Sequence, residues 1–395
     1  MKIVVVNPSL FTPFYDYHFC KALVESGDSV TMVGRPALQH ERPADGSFAF
    51  AELFYRRSCQ REAGAPPSQG HRIRKGLEHA TGLWALERLV SEQHADIVHF
   101  QWLLLPFLDR IALARLRRRC GLVLTVHNAE IAAHDVGAAV GRLGAFIQGL
   151  DQKRAVLGFD RYIVHSDRTL QRLVELGVAS ERVIYLPHPP LELDASSSLS
   201  ATRTDDGRRD ILFFGNIKPY KGVETLIEAG IILASTRRDF RITIAGRPSQ
   251  PLDALRARIV SSGANDVFRF DLEYISDAKL SAYITAASVV VFPYREIDGS
   301  GALSHAIRFE KPIVASKVGG FAESPFKDNV ELVPPGDAAA LAVTLAGLLD
   351  NPSRLDELSH RSGILRSMLP TWAEFARSCQ KAYCAIAAGR KDRGI

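Results

Sequence analysis

The sequence predicts an α/β protein of two doubly wound, Rossmann-like domains that face each other across a cleft. Short apolar segments rich in β-branched residues alternate with segments of helical periodicity along most of the 395 residues. This alternation indicates parallel sheets covered by helices on both faces. It is interrupted once, at 191–209, by a Ser-, Thr- and Asp-rich run typical of a linker. The length suits two domains better than one.

The first domain is predicted to occupy residues 1–190. Its strands are expected at 3–7, 29–34, 50–54, 96–100, 122–126, 161–164 and 182–185, and its helices at 15–26, 77–92 and 103–119. Arg, Gly, Pro, Ser and Gln dominate the segment 56–71, which is therefore predicted to be a loop. The amphipathic helix at the end of the chain, within 371–395, is expected to pack back on this domain.

The second domain is predicted to occupy residues 210–370. Its strands are expected at 211–214, 241–245, 267–270, 288–292, 312–316 and 330–333, and its helices at 220–233, 252–260, 277–286, 301–309 and 338–349. In open α/β sheets, ligands bind beyond the carboxyl ends of the strands. With two such domains, the cleft between them is the expected site.

Composition narrows the class of protein. The sequence has no apolar run of about 18 residues, so no spanning helix is expected, and its first residues have a strand pattern rather than that of a signal peptide. The five cysteines are odd in number and lack CxxC spacing. They are interpreted as reduced thiols of a cytoplasmic protein without a metal site.

Positive charge is concentrated in the first third of the chain, although the net charge is only +5. The basic clusters are at 56–61, 72–75 and 115–119. A solvated helix face is one interpretation, and attraction to an anionic membrane surface or acceptor is the other. Nucleic acid is not expected as a partner, because no aromatic-interleaved basic motif is present.

The segment Gly215-Asn216-Ile217-Lys218-Pro219-Tyr220-Lys221-Gly222 opens the second domain, between a strand and a helix. Gly215 lets a ligand approach the backbone, and Lys218 and Lys221 bring two cations to the start of the helix. Cations beside free N–H groups suit a pyrophosphate. The alternative is an ordinary strand-to-helix turn with solvated lysines.

A second loop of this kind follows the apolar strand that ends at Pro293. It is polar, contains Glu296 and Asp298, and reaches the next helix through Gly299, Ser300 and Gly301. Backbone N–H groups at such a helix start bind anions. The loop is therefore predicted to be an anion site, for which a nucleotide-sugar diphosphate is a natural ligand.

Several ordered motifs together resemble glycosyltransferase family 4. They are Leu212–Gly215 with Lys221-Gly222, the loop 293–301, the segment 312–320, and the tetrapeptides DIVH at 96–99, TVHN at 125–128, IVHS at 163–166 and TWAE at 371–374. The family consists of retaining, metal-independent enzymes of the GT-B fold that use nucleotide sugars. The resemblance spans most of the chain and implies no cofactor beyond the nucleotide-sugar co-substrate.

The resemblance also implies roles for residues of the second domain. Lys221 would contact the donor diphosphate, and Lys218 would supply the charge that many relatives carry as arginine at the position of Asn216. Gly299, Ser300 and Gly301 would present N–H groups to the distal phosphate. The site residues implied for the donor are Gly215, Asn216, Lys218, Lys221, Asp298, Gly299, Ser300, Gly301 and His305.

The family has a Glu-x7-Glu motif, and its two carboxylates are only partly matched in this chain. The second aligns with His305, which would have to bind the ribose hydroxyls by hydrogen bonding. The first is matched best by Glu296, with Asp298 as the alternative, and would hold the donor-sugar hydroxyls. Glu296 and His127, the latter implied to lie near the reacting carbon, are the catalytic candidates. The alternatives are a surface-loop carboxylate for Glu296 and a strand-end histidine bonded to backbone for His127.

The acceptor is expected to bind the first domain. Aromatic rings pack on sugar rings, so Phe14 and Tyr15, in a stiff aromatic loop after the first strand, are proposed to bind it. The alternative is a loop packed down by its own rings. His134 and Asp135 would also reach the acceptor. His99 and His165 are expected either to be structural or to support the residues that contact the substrate, and His188 is expected to lie at a hinge.

The sequence therefore predicts transfer of a hexose from a nucleoside-diphosphate sugar to a hydroxyl of a glycan or lipid-linked glycan, in the synthesis of a surface polysaccharide or glycoconjugate. The helix at 103–119 would contact the inner face of the membrane. Departures at Asn216 and His305 leave an alternative, a non-catalytic GT-B subunit that binds or activates a partner transferase. A nucleotide-sugar epimerase is less favoured, because no set of acid/base carboxylates for that chemistry is found.

Overall fold

The structure, a computed structural model, describes residues 1–38, 41, 46–58, 69–128, 153–191, 206–297 and 301–391. The chain forms two compact units, Met1–Pro187 with Pro370–Ile395, and His188–Leu369. Each unit contains one parallel sheet with flanking helices, which confirms the predicted fold class. Most of the predicted linker lies outside the described residues, and its last residue, Arg209, begins a strand.

The first unit contains a seven-stranded sheet in the order β3-β2-β1-β4-β5-β6-β7, with every pair parallel. Its strands are β1 Lys2–Asn7, β2 Ser29–Gly34, β3 Ala49–Glu52, β4 Ile97–Phe100, β5 Gly121–Val126, β6 Arg161–Val164 and β7 Val183–Tyr185. Every residue of β4 and β5 is buried. Burial on both faces explains why these strands are continuous apolar runs in the sequence.

The helices of the first unit include one formed by the end of the chain. They are α1 Pro13–Glu25, α2 Gln69–Gln93, α3 Pro106–Leu116, α4 Asp167–Glu175 and, from the C-terminal segment, the helix Trp372–Lys391. This last helix packs against α1, where the Phe19 and Phe375 ring centroids lie 5.6 Å apart. The buried Tyr383 hydroxyl also lies 2.6 Å from His99 Nδ1 on β4. The C-terminal helix is thus part of the core of the first unit.

The second unit contains a six-stranded parallel sheet in the order β10-β9-β8-β11-β12-β13. Its strands are β8 Arg209–Phe214, β9 Phe240–Ala245, β10 Phe268–Asp271, β11 Val289–Phe292, β12 Ile313–Ser316 and β13 Glu331–Val333. Its helices are α5 Val223–Ala234, α6 Asp253–Ser261, α7 Asp277–Ala286, α8 Gly301–Arg308, α9 Ala338–Asp350 and α10 Pro352–Met368, so the C-terminal helix Trp372–Lys391 is α11.

The strand order places a topological switch point in each sheet. In the first sheet it lies between β1 and β4, because β1 continues to β2 on one side and the chain later adds β4 on the other. In the second sheet it lies between β8 and β11 for the same reason. Ligands of open α/β sheets bind at the carboxyl ends of such strand pairs. The loops after β1, β4, β8 and β11 are therefore the places to look for a site.

Candidate functional site

The loop after β8 is a turn held in shape by two glycines with positive φ. Gly215 has φ +96°, and Gly222 has φ +63° directly before α5. A Cβ atom on Gly222 would lie 2.0 Å from the carbonyl oxygen of Pro293, and one on Gly246 would lie 2.2 Å from that of Gly215. Only glycine fits such backbone contacts. The turn is therefore packed backbone to backbone against two neighbouring loops.

Lys221 lies inside this turn rather than on its surface. Its side chain is 8% exposed, and its Nζ lies 5.4 Å from the centroid of the buried Tyr294 ring. Within the described part of the chain, no carboxylate lies within ion-pair distance of Nζ. Burial lowers the pKa of Lys221, an effect that Tyr220 opposes. A buried ammonium without a counter-ion is costly, so this arrangement favours an anionic ligand.

Lys218 and Asn216, the other polar residues of the turn, are exposed. The alternative interpretation of the segment 215–222 is an ordinary turn with solvated lysines. It describes Lys218, which is exposed, but not Lys221, which is buried. The main chain of the turn is joined to the β11 loop, because Arg295 N donates to Tyr220 O (2.7 Å). The Arg295 side chain also forms an ion pair with Glu224 on α5.

The loop after β11 approaches the same turn. Glu296 is exposed, and the predicted residues Asp298, Gly299 and Ser300 lie outside the described residues. Gly301 is the first residue of α8. His305, one turn further along α8, is partly buried, with its ring centroid 6.3 Å from that of Phe214 at the end of β8. The second unit thus brings Gly215, Lys221 and His305 to the carboxyl ends of β8 and β11.

In the first unit, His127 directly follows β5 and is held by side chains from the end of β4. Its Nε2 lies 3.0 Å from Gln101 Oε1, and its ring stacks on that of Trp102 with centroids 5.0 Å apart and an interplanar angle of 14°. The Trp102 indole N–H donates to Thr12 Oγ1 (3.2 Å) in the loop after β1. His127 is thus fixed by side chains at the switch point of the first sheet, and not by backbone alone.

The two aromatic residues predicted to bind the acceptor have different environments. Phe14 is 41% exposed, whereas Tyr15 is 3% exposed. Helix α1 begins at Pro13, so successive side chains point about 100° apart. The Tyr15 ring is packed against Trp372 and Phe375, with centroids 5.2 and 6.1 Å away. The prediction that Tyr15 offers its ring to an acceptor is wrong, because that ring is part of the core.

The remaining histidines that the sequence singled out are bonded within the protein. His99 is fully buried between Tyr383 and Thr125, and burial lowers its pKa to about 3. Burial also lowers the pKa of His165 to about 4, and its Nδ1 lies 2.8 Å from Leu186 O. Both fit the structural role expected of them, and His188 Nδ1 lies 2.6 Å from Pro189 O. His134 and Asp135 lie outside the described residues.

Sequence reasoning missed Gln101 and Trp102, which directly follow β4, and it also missed Tyr294. The signal available in the sequence was their position, since polar and aromatic residues stand where buried strands end. Within the described ranges, no group of three or more His, Cys, Asp or Glu side chains could hold a metal ion. No helix among the described residues is long and apolar enough to cross a membrane.

Two family profiles match the chain, one in each unit. The family described as "Glycosyltransferase Family 4" matches residues 15–189, and "Glycosyl transferases group 1" matches residues 208–351. The D-inositol 3-phosphate glycosyltransferase of Corynebacterium efficiens is 30% identical over 296 residues, which cover 70% of this chain and 68% of that protein.

Other relatives match over shorter stretches. The D-inositol 3-phosphate glycosyltransferase of Pseudarthrobacter chlorophenolicus is 28% identical over 245 residues, 59% of this chain and 58% of that protein. The GDP-mannose:glycolipid 4-beta-D-mannosyltransferase of Xanthomonas campestris pv. campestris is 31% identical over 123 residues, 31% of this chain and 34% of that protein. The chain thus spans less than two thirds of the length of two of these three relatives.

Among solved structures, Anabaena HepE in complex with UDP has a TM-score of 0.73 at 14% identity and covers 98% of this chain and 100% of that one. At this identity the similarity concerns the fold alone. It extends over both sheets.

Proposed function

Since the chain belongs to glycosyltransferase family 4, we propose that it moves a hexose from a nucleoside-diphosphate sugar to a hydroxyl group. One observation carries the proposal for this particular chain. Lys221 is a buried cation without a carboxylate partner among the described residues, in a glycine-bracketed turn before α5. The donor diphosphate would supply the missing negative charge. We propose that the acceptor is a glycan or lipid-linked glycan in the synthesis of a surface polysaccharide or glycoconjugate.

The proposed chemistry needs stabilisation of the departing nucleoside diphosphate. Lys221, the exposed Lys218 and the N–H groups at the start of α5 would stabilise its developing charge, without a metal ion or another cofactor. Glu296 would hold hydroxyls of the donor sugar, and His305 would bind the ribose. We propose front-face attack with retention, in which the leaving phosphate helps to deprotonate the acceptor hydroxyl.

A screen of nucleotide sugars by thermal shift tests the proposal. UDP-glucose and GDP-mannose come first, because HepE was solved with UDP and the Xanthomonas relative is named for GDP-mannose. A true donor at 100 times its Kd stabilises the protein by about 2.7 kcal/mol. We expect one nucleotide sugar to raise the melting temperature and its nucleoside diphosphate to be released slowly without an acceptor.

The alternatives give different results in the same experiment. A non-catalytic subunit, which the departures at Asn216 and His305 motivate, binds the donor but releases no nucleoside diphosphate. A protein that binds none of the nucleotide sugars is not a transferase of this kind. The anomeric configuration of the product, read from its one-bond coupling between C1 and H1, tests retention. It must be measured, because the Xanthomonas relative is named for a beta linkage.

We also propose that the first unit contacts an anionic membrane surface, through the exposed sides of α2 and α3. Along α2, Ile73, Leu77 and Trp84 form one outward stripe at helical spacing, and each is about two thirds exposed. On α3, Phe107 is 53% exposed. Exposed arginines accompany the apolar side chains, at 72, 74, 115 and 118. Apolar side chains among arginines suit an interfacial helix on anionic lipid.

We expect the double variant Ile73→Ser, Trp84→Ser to bind vesicles of phosphatidylglycerol and phosphatidylcholine at least about a hundredfold more weakly than the wild type. Each lost apolar side chain removes about 1.5–3 kcal/mol of burial, and about 1.4 kcal/mol corresponds to a tenfold change in affinity. Flotation at low and high salt is the measurement. The matched control is Val260→Ser, Val343→Ser, which removes two exposed apolar side chains from the second unit. Wild-type protein that fails to float at low salt would contradict the proposal.

A further inference from the structure

The Gln101 side chain is buried beside His127, yet only one end of its amide has a partner. Gln101 is 1% exposed, and its Oε1 lies 3.0 Å from His127 Nε2. Within the described part of the chain, Gln101 Nε2 has no hydrogen-bond partner. Leaving a buried amide end unpaired costs about 1–3 kcal/mol, so such groups call for an explanation.

The unpaired end of this amide belongs to a small pocket in the first unit. Gln101 lines it together with Trp102, Leu103, Leu124, Thr125, Val126, His127 and Asn128. The pocket lies at the carboxyl ends of β4 and β5, next to the switch point between β1 and β4. This is the edge of the sheet at which open α/β proteins bind ligands. The unpaired amide therefore lies where a ligand is expected.

We infer that Gln101 binds a hydroxyl group of a sugar held beside His127, while the other end of its amide positions the His127 ring. This inference rests on the proposed function and adds a substrate-binding residue to it. None of the eight lining residues is an aspartate, glutamate, lysine or arginine. The pocket therefore suits a neutral polar group rather than a phosphate, which Lys221 in the second unit is suited to bind.

The chemistry of the amide matches a hydroxyl in either orientation. With Oε1 facing His127, the amide accepts from the imidazole N–H and offers N–H groups to the ligand. With the amide reversed, it donates to the imidazole and offers its carbonyl oxygen. A sugar hydroxyl both donates and accepts, so it satisfies either arrangement.

Hydrogen bonds and ring contacts fix the neighbouring residues of the pocket. The backbone N–H of Gln101 donates to Val6 O (2.8 Å), which extends the pairing of β1 and β4 beyond the end of the strand. Trp102 is fixed by Thr12 and by an edge-to-face contact with Phe11, whose ring centroid lies 5.3 Å away. Rigid supports of this kind hold a binding group in place before the ligand arrives.

The test compares Gln101→Leu with Gln93→Leu. Both remove a glutamine amide of the first unit, but Gln93, at the end of α2, does not line the pocket, and its amide accepts from the Thr31 hydroxyl (3.1 Å). The melting temperature of the free protein is expected to fall less in Gln101→Leu than in Gln93→Leu, because Gln101→Leu loses the hydrogen bond to His127 but also removes an unpaired buried amide end. A fall in Gln101→Leu as large as that in Gln93→Leu would overturn the inference.

Two further measurements distinguish the source of the hydroxyl. If it belongs to the donor sugar, acceptor-free release of the nucleoside diphosphate falls at least tenfold in Gln101→Leu, while the Kd of the nucleoside diphosphate alone is unchanged. If it belongs to the acceptor, that release is unchanged. Methyl glycosides of glucose, galactose and mannose at 100 mM then raise the melting temperature of the wild type but not of Gln101→Leu.

The inference is overturned if the variant equals the wild type in both measurements. The glycoside measurement uses no nucleotide, so it remains readable if every nucleotide sugar fails to bind. In that case the proposed function is wrong. A rise in melting temperature with methyl glycosides that is absent in Gln101→Leu would still support the sugar-hydroxyl site.

Discussion

Lys221→Met is expected to lower the turnover of the nucleotide-sugar donor by about 10²–10³-fold, the usual effect of removing one preorganised group that stabilises developing negative charge. Methionine keeps the length and apolar stem of lysine. The contact with the Tyr294 ring and the packing of the turn should therefore survive. The free energy of unfolding of the free protein should not fall, because the substitution removes a buried charge without a carboxylate partner among the described residues. Steady-state kinetics and urea unfolding measure the two effects.

Lys218→Met is the matched control, since it removes an exposed ammonium three residues away in the same turn. Its effect on turnover should be about tenfold or less, because water screens an exposed charge. Equal losses in the two variants would mean that the burial of Lys221 has no special role. A large loss of stability in Lys221→Met would mean that the residue is structural.

The pH dependence follows from the same burial. Burial lowers the pKa of Lys221, so the folded protein binds fewer protons than the unfolded chain between the lowered and the ordinary pKa. The stability of the free protein therefore rises with pH in this alkaline window, whereas kcat/KM falls as the ammonium is lost. Both dependences should be absent in Lys221→Met.

The positions along the chain of the thirteen strands in the described residues could be predicted from the sequence, each within about two residues, but their order within the sheets was not. Buried parallel strands are continuous apolar runs, and these runs are separated here by clear turn signals. Helix α4 was given no bounds, and helix α10 was missed because Ser, Arg, Asp, Glu and His interrupt its apolar stripe of Leu355, Leu358 and Leu365. Its capping signals were nevertheless present, since Asn351 accepts from Arg354 N and Pro352 is the first helical residue.

The candidate site was predictable where it depends on local backbone. Glycines and lysines between a strand and a helix indicated the turn around Lys221, and the end of β5 indicated His127. The burial of Lys221 and of Tyr15 was not predictable, because each depends on contacts with residues far along the chain. Gln101 was missed for the same reason, since its partner His127 lies 26 residues away. Which member of a polar pair is buried is decided by packing, and single-sequence periodicity does not contain that information.

Gly222→Ala tests whether the turn around Lys221 depends on the close backbone contact. The φ of Gly222 is +63°, and an alanine Cβ would lie 2.0 Å from the Pro293 oxygen and 3.1 Å from the carbonyl carbon. Both neighbours are backbone atoms, so the loop after β11 must move. We expect the free energy of unfolding to fall by about 3–5 kcal/mol and donor binding to be lost. Urea unfolding and donor titration are the measurements.

Gly263→Ala is the control that separates backbone strain from this contact. Gly263 has φ +68°, nearly the same as Gly222, but a Cβ there would meet nothing within 4 Å. Its substitution should reduce the free energy of unfolding by only about 1–2 kcal/mol, the cost of a left-handed alanine, and should leave donor binding unchanged. The difference between the two variants then measures the contact with Pro293. An equal loss of unfolding free energy in the two variants would show that the loops after β8 and β11 adjust easily to the added methyl group. The burial of Lys221 would then not depend on the contact between Gly222 and Pro293.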